Sequence, residues 1–381
     1  MMKIIVLGGD GFCGWPSALQ LAAEGHAVTI VDNLSRRKIA KELSAPSLTP
    51  ISSIQDRITA ARDVGDITFE YCDIAKDYHG LKRVLGSIKP DCIVHFAEQR
   101  SAPYSMLGCE ERTYTVNNNL GGTNNLLSAI VALNLSPHIV HLGTMGVYGY
   151  NTDMGEIPEG YLNVEIKQTG AEVSIPYPGN PGSIYHLTKV LDHQVMQFYA
   201  KNWGLRITDL HQGIVWGTET DITKSHSYLM NRFDYDGEYG TVLNRMICQA
   251  QVGHPLTVYG TGGQSRAFIH IQDTARCVCK AVGHPPDSGT RVQVFNQVAE
   301  IHTVRDLAEM IADTSGVGIS FIDNPRKELP RNKLEVCNEG LKSLGFDPIV
   351  LEQGLVAEIE ETAFRHKDRL NRHAILSNAR W

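Results

Sequence analysis

The feature that most constrains this chain lies in its first 32 residues, where Ile4-Ile5-Val6-Leu7 runs directly into Gly8-Gly9-Asp10-Gly11-Phe12-Cys13-Gly14. A short β-branched run bounded by glycine is the pattern of a strand buried on both faces of a parallel sheet. Glycines at 8, 11 and 14 recur every third position. An apolar stretch at helical spacing follows through Leu19, Leu21, Ala22 and Ala23, and Val28-Thr29-Ile30-Val31 closes on Asp32. Strand, glycine turn, helix, strand and acidic end make a βαβ unit of about 30 residues suited to a dinucleotide. Gly8 permits the tight turn, Gly11 lets backbone amides approach a pyrophosphate at the helix N-terminus, and Gly14 lets the helix pack on the strand. Asp32 is placed to hydrogen-bond the adenosine ribose and repel a 2′-phosphate, which favours NAD over NADP. Arg36 and Arg37 keep NADP open, because a nearby arginine accommodates that phosphate.

The alternation continues. Strands are expected at Thr68-Phe69-Glu70-Tyr71-Cys72, ending at Asp73-Ile74, at Asp91-Cys92-Ile93-Val94-His95-Phe96 and at His138-Ile139-Val140-His141-Leu142-Gly143. Helices are expected from Leu81 to Ile88, from Tyr114 to Leu133 with Asn119 on it, and from Ser183 to Trp203. Residues 34–66 interrupt the pattern with an insertion containing Ser44-Ala45-Pro46-Ser47-Leu48-Thr49-Pro50. The fold class is therefore α/β: a doubly wound parallel sheet of Rossmann type over residues 1–214. Residues 215–381 form a smaller C-terminal substrate-binding lobe, with the chain crossing back to the first domain. Ligands of such sheets lie beyond the carboxyl ends of the strands, so Asp73, residues 97–106, 144–148 and 212–218 carry the functional weight.

Composition removes several function classes. Acidic residues number 42 against 35 basic, a net charge of −7, and no basic run exceeds Arg36-Arg37-Lys38, so nucleic acid is not an expected partner. The eight cysteines form no CxxC pair, which argues against a disulfide framework and against a metal site. No apolar run approaches the roughly 20 residues of a membrane span. The chain opens on Lys3-Ile4-Ile5-Val6-Leu7 without a leader, so a cytoplasmic location is expected.

Tyr185-His186-Leu187-Thr188-Lys189 puts a tyrosine and a lysine at i and i+4 on one helical face. A tyrosine with an ordinary pKa near 10 needs a downward shift of about three units, about 4 kcal/mol, to act as a base near neutrality. A neighbouring ammonium and a nicotinamide cation are the expected sources. Upstream, Thr144 follows the strand that ends at Gly143.

The GxxGxxG turn together with Thr144, Tyr185 and Lys189 resembles the extended branch of the short-chain dehydrogenase/reductase superfamily, whose members act on nucleotide sugars. Phe96-Ala97-Glu98-Gln99-Arg100-Ser101-Ala102-Pro103-Tyr104-Ser105-Met106 narrows the likeness to the UDP-sulfoquinovose synthases. Gly143-Thr144-Met145-Gly146, Arg232-Phe233-Asp234-Tyr235-Asp236, Gly262-Gly263-Gln264-Ser265-Arg266, Phe295-Asn296-Gln297 and Asn324-Pro325-Arg326 do the same. The resemblance runs nearly end to end and implies UDP-glucose as substrate, NAD kept bound through the cycle, sulfite as second reactant and C–S bond formation. It implies that Tyr185 takes a sugar hydroxyl proton, Thr144 hydrogen-bonds that hydroxyl, Lys189 holds the nicotinamide ribose and lowers the tyrosine pKa, and His186 is the acid/base of an elimination. The cofactor set it implies is Gly8, Gly11, Phe12, Cys13, Gly14, Asp32, Asn33, Arg36, Asp73, Ile74, Phe96, Ala97, Asn119, Tyr185, Lys189 and Gln212. The substrate set is Arg100, Thr144, Tyr185, Gln212, Thr241, Arg266 and Arg326, the arginines being weighed against ordinary salt-bridge roles. A homodimer through the helices at 111–133 and 183–203 is implied as well.

Two departures stand out. The synthases read Met-Gly-Glu-Tyr-Gly where this chain has Met145-Gly146-Val147-Tyr148-Gly149, so a carboxylate is missing. Asn324-Pro325-Arg326 continues into Lys327-Glu328-Leu329-Pro330-Arg331, without the synthases' acidic, tyrosine-rich stretch. A UDP-sugar 4-epimerase is the enzymatic alternative, and an NAD-binding regulator without turnover the alternative of another class.

Overall fold

The computed structural model describes residues 1–149, 155–287, 289–326, 328–351, 356–376 and 381. The first half runs β1 (Lys3–Leu7), α1 (Gly14–Ala23), β2 (Ala27–Asp32), α2 (Ser35–Glu42), α3 (Ile54–Ala61), β3 (Ile67–Tyr71), α4 (Tyr78–Ile88), β4 (Cys92–His95), α5 (Cys109–Ala132) and β5 (His138–Thr144). A hairpin, β6 (Tyr161–Ile166) and β7 (Ala171–Pro176), precedes α6 (Ile184–Trp203) and β8 (Ile207–Gln212). The remainder is β9 (Ile214–Trp216), α7 (Val242–Gln251), β10 (Leu256–Tyr259), β11 (Ser265–His270), α8 (Ile271–Gly283), β12 (Gln293–Gln297), β13 (Glu300–Thr303), α9 (Val304–Ser315), β14 (Ile319–Ile322), α10 (Glu339–Ser343) and α11 (Val356–Arg365).

Seven parallel strands in the order β12-β8-β5-β4-β1-β2-β3 form the main sheet. Strand order reverses between β1 and β4, which opens the crevice where such sheets bind ligands. Side chains of β1 alternate between two cores. Ile4 and Val6 join Trp15, Leu19, Ile58 and Val278 on one face, while Ile5 and Leu7 join Leu85, Leu126, Ile130 and Met196 on the other. Burial on both faces explains why the sequence reads as an unbroken apolar run. Each fully buried aliphatic side chain there contributes roughly 1.5–3 kcal/mol.

A third core of Trp216, Phe233, Leu243, Met246, Phe268 and Leu307 gathers the later elements around small sheets β13-β11-β9 and β10-β14. The chain returns from there to the main sheet, where β12 pairs with β8 and α8 packs its Cys277, Val278 and Ala281 beside Trp15 and Ala18 of α1.

Three expectations change in detail. The helix predicted from Tyr114 begins at Cys109, after extended Gly108, with Glu110 and Glu111 in a first turn that favours negative charge. The insertion at 34–66 is not a loose excursion. It folds into α2 and α3, and the segment between them clasps the third core: Leu48 N donates to Phe233 O at 2.9 Å and Thr49 Oγ1 to Asn231 O at 2.6 Å. The β6–β7 hairpin is unanticipated, because its strands are mostly exposed and lack the buried apolar run that marked the others.

Candidate active site

A deep cleft follows the carboxyl ends of β1, β4, β5 and β8 and is closed from the other side by α7, β11, Arg326, Glu328 and Leu334. At its floor Gly8 adopts φ +77°, and a Cβ there would sit 2.6 Å from Phe96 C. A Cβ on Gly14 would sit 2.2 Å from Gly8 O. The turn and the first helical residue are in backbone contact, which only glycine permits. No side chain caps α1 at Cys13, so its N-terminus faces the cleft as an anion-binding end. Burial raises the Cys13 thiol to about 12 and keeps it neutral. At the opposite wall the buried Thr241 Oγ1 has no hydrogen-bond partner, an open polar position for a ligand. The cradle fits a dinucleotide.

Asp32 Oδ2 accepts from Asp10 N at 3.0 Å and its Oδ1 from Leu34 N at 2.6 Å, the latter bending the chain into a left-handed turn at Leu34. Burial and the neighbouring Asp10 carboxylate raise Asp32 to about 6. The two arginines that kept NADP open are committed elsewhere. Arg37 pairs with Asp10 at 2.6 Å, and Arg36 pairs with Asp234 at 2.9 Å while stacking 3.8 Å from the Tyr239 ring centroid.

Of the residues expected to hold the cofactor, Gly8, Gly11, Phe12, Cys13, Gly14, Arg36, Phe96, Tyr185, Lys189 and Gln212 line the cleft; Asp32, Asn33, Asp73, Ile74, Ala97 and Asn119 stand behind or beyond its lining. Asn33 and Asp73 close local turns by accepting from Ser35 N and from Ala75 N and Lys76 N. Asn119 is fully buried and grips the chain instead: its amide accepts from Gln99 N at 2.8 Å and donates to Gln99 O and Thr188 Oγ1. The segment 98–106 is thus a clamp. Gln99 bonds α5 through Thr115, Ser105 Oγ accepts from Tyr185 N at 3.1 Å, and Arg100 reaches Asp234 of the second lobe at 2.7 Å.

Ser183 caps α6 by accepting from His186 N, which sets Tyr185, His186 and Lys189 at the mouth of β5. Thr144 hydrogen-bonds Tyr185, so Thr144, Tyr185 and Lys189 meet in the cleft as expected. The expected depression of the Tyr185 pKa is not what these side chains produce. Burial pushes it up to about 12; Lys189, Arg100 and Thr144 pull it down, but Glu98 pushes it up. Burial outweighs Lys189, which is itself paired, with Nζ 2.6 Å from Glu98 Oε2 and donating to Leu142 O at 2.5 Å. Its charge is largely compensated before it reaches the phenol.

His186 is neutral. Burial and the charges of Arg326 and Arg266 hold it down to about 3, so it begins as a proton acceptor. Arg266 is paired with Glu328 and Arg326 stacks on Trp381, yet both line the cleft, as Arg100 and Thr241 do. Each of the three arginines thus has a partner within the protein and a place on the cleft wall. Lys327, one of the departures, lies outside the described residues. Val147, the other, is buried among Met145, Tyr148, Ile157 and Leu334 and is absent from the cleft wall.

The sequence and the fold place the chain among known proteins. The NAD dependent epimerase/dehydratase family model matches residues 4–296. UDP-sulfoquinovose synthase, chloroplastic, from Spinacia oleracea is 42% identical over 100% of this chain and 79% of its own length. The chain belongs to this family. UDP-sulfoquinovose synthase of Sulfolobus acidocaldarius is 40% identical, covering 100% of this chain and 98% of that protein. The solved UDP-glucose 4-epimerase of Thermotoga maritima superposes with a TM-score of 0.70 at 21% identity, covering 96% and 99% of the two chains. The Thermus thermophilus epimerase crystallised with NAD gives 0.66 at 22%, covering 95% and 99%. Family membership makes this chain an NAD-dependent nucleotide-sugar enzyme.

Glu98, His141 and Asp209 escape a sequence reading. They lie on three separate strands or their ends and meet only in the sheet. His141 Nε2 bonds Glu98 Oε1 and its Nδ1 bonds Asp209 Oδ1, both at 2.8 Å; Asp209 Oδ2 also accepts from His193 at 2.9 Å and His211 at 3.0 Å. His, Asp and Glu are residue types that also hold metal ions, and two trios here, His193 with Asp209 and His211, and Glu98 with His141 and Asp192, each have their ligand atoms within 4.8 Å of one another. Three imidazoles on one carboxylate, each at hydrogen-bond distance, make it a hydrogen-bonded network.

Proposed function

We propose that this enzyme converts UDP-glucose and sulfite to UDP-sulfoquinovose through a 4-keto intermediate, with NAD returned to its starting state in each cycle. The observation that carries the proposal is the meeting of Thr144, Tyr185 and Lys189 above the glycine cradle, in a chain whose likeness to the synthases extends from end to end. Bound NAD supplies the hydride acceptor for oxidation at C4 and the donor for the final reduction. Gly8, Gly11 and Gly14 would hold its diphosphate at the α1 N-terminus, and Asp32, just behind the cleft lining, would face its adenosine ribose.

Tyr185 takes the 4-hydroxyl proton and later returns it, with Thr144 holding the same hydroxyl. Neutral His186 takes the acidified C5 proton and passes it to the departing 6-hydroxyl, which leaves as water. Sulfite, entering as hydrogensulfite, then adds at C6 of the 4-keto-5-ene sugar, and its proton passes through His186 to C5. Arg266 and Arg326 supply positive charge beside His186 for the substrate diphosphate or the incoming anion. Val147 packs in an apolar cluster where a carboxylate would be desolvated, which favours a packing change over a lost catalytic group.

A homodimer through α5 and α6 is supported by Leu187, Leu191 and Phe198, which recur on one face of α6 and remain exposed. No helix among the described residues is long and apolar enough to cross a membrane. Cytoplasmic placement rests on eight cysteines that are all free.

Purified protein incubated with UDP-glucose, with and without sulfite, tests the reading. A sulfonated nucleotide sugar that forms only with sulfite is the expected product by mass spectrometry. UDP-galactose in both arms establishes the epimerase instead. Tyr185→Phe is expected to lower single-turnover NAD reduction at least about 1,000-fold, and unchanged turnover removes Tyr185 from the chemistry.

A further inference from the structure

Behind the triad runs a chain of buried charges that hydride transfer does not itself require. Lys189 Nζ meets Glu98 at 2.6 Å, Glu98 meets His141 at 2.8 Å, and His141 meets Asp209 at 2.8 Å. Asp209 closes the series on His193 and His211, and His211 Nδ1 bonds the Tyr148 hydroxyl at 2.7 Å. Glu98, His141 and Asp209 have side chains at most 2% exposed, a depth at which ions are tolerated only when paired. The charges alternate along the series, and breaking it at any point leaves the next group uncompensated.

We propose that Glu98, His141 and Asp209 form a positioning relay that sets how much of the Lys189 charge reaches Tyr185, and through it the proton affinity of the catalytic tyrosine. This rests on the assignment of Tyr185 and Lys189 as the proton-transferring pair. A tyrosine that must take and return one proton within a redox-neutral cycle works best when neither state is strongly favoured. An unopposed buried ammonium holds it as phenolate, and an unopposed carboxylate holds it as phenol. Glu98 opposes the ammonium, and His141, charged between two carboxylates, tempers Glu98.

The groups facing this relay are consistent with that charge pattern. Burial and Lys189 oppose charging of His141, but Asp209 and Glu98 outweigh them and raise it to about 9. His95, on β4, stays neutral, held at about 3 mainly by burial. On α6, Asp192 is raised to about 7 by burial and by Glu98. Arg100 faces Tyr185 from the β4 side and is tied to Asp234. His211 on β8 is lowered by burial.

The sign of each perturbation follows. Removing the Glu98 charge unmasks Lys189 and moves Tyr185 toward phenolate. Removing Asp209 discharges His141, leaves Glu98 less tempered, and moves Tyr185 toward phenol. Two readouts on NAD-loaded protein test this: the pH profile of single-turnover NAD reduction with UDP-glucose, and the near-ultraviolet phenolate absorbance difference against Tyr185→Phe.

Glu98→Gln is expected to shift both to lower pH by about one unit or more, and Asp209→Asn to shift both to higher pH by a similar amount. Glu98→Asp, which keeps the charge, is expected to restore most of the wild-type position. Melting curves identify variants that fail to fold, and His141→Gln, with the same expected sign as Asp209→Asn, then replaces the lost arm. Absent or same-direction shifts in folded protein overturn the relay. If Tyr185→Phe reduces NAD normally, the assignment of Tyr185 fails; the relay fails separately if Tyr185 is required and the shifts are absent.

Discussion

The two ends of the cleft are lined by different kinds of group. At the β1 end the contact surface is backbone: a glycine at positive φ, another in contact with Gly8 O, and an uncapped helix terminus. At the β11 end it is side-chain charge: Arg266 already paired with Glu328, and Arg326 stacked on Trp381. A backbone site tolerates no added atom and does not depend on partners brought from elsewhere. A side-chain site can be retuned by substitution, because each arginine is held by a residue distant in sequence. The glycine end of the cleft is therefore the harder one to alter by substitution and the arginine end the easier.

The sharpest break of that contrast is Gly14→Ala. Its methyl would lie 2.2 Å from Gly8 O, so co-purified NAD is expected to fall at least about 100-fold, with a lower melting temperature. Retention of NAD at wild-type level would show that the turn yields and the cradle is not backbone-limited.

Arg266→Met acts at the other end. The KM for the UDP-sugar is expected to rise about 10-fold or more while NAD content is unchanged, because one charge-assisted contact is lost and the cradle is untouched. Equal losses of NAD and sugar affinity would erase the distinction between the two ends.

The smallest effect concerns stability. His141 is raised to about 9 in the folded protein against an ordinary value near 6.5. Its contribution is full below about 6.5 and is lost as pH rises through about 9. Wild-type melting temperature should decline over that interval, and Asp209→Asn should show a shallower decline there. Parallel slopes would show that His141 is not charged at neutrality.

Legibility followed the same division. The glycine turn, its strand and helix, and the Tyr185–Lys189 spacing were readable because each is a local pattern whose geometry follows from chain stereochemistry and helical periodicity. The βα alternation pointed to a doubly wound parallel sheet, while the number of strands, their order and the place of β12 among them come from the structure. The β6–β7 hairpin and the clasp formed by residues 44–50 were not readable, because exposed strands and polar segments carry no buried periodicity.

By itself the sequence determined the α/β class and the family, and it brought the glycine turn and the positions of Thr144, Tyr185 and Lys189 into view. Each depends on residues near in sequence or on a motif whose spacing is its geometry. Only the tertiary structure decided that Arg36 and Arg37 are spent on Asp234 and Asp10, that Asn119 grips the 98–106 clamp from behind the cleft lining, that Val147 faces an apolar cluster, and that Lys189 is answered by Glu98. Electrostatic interaction depends on distance through space and on burial, and neither is a function of distance along the chain.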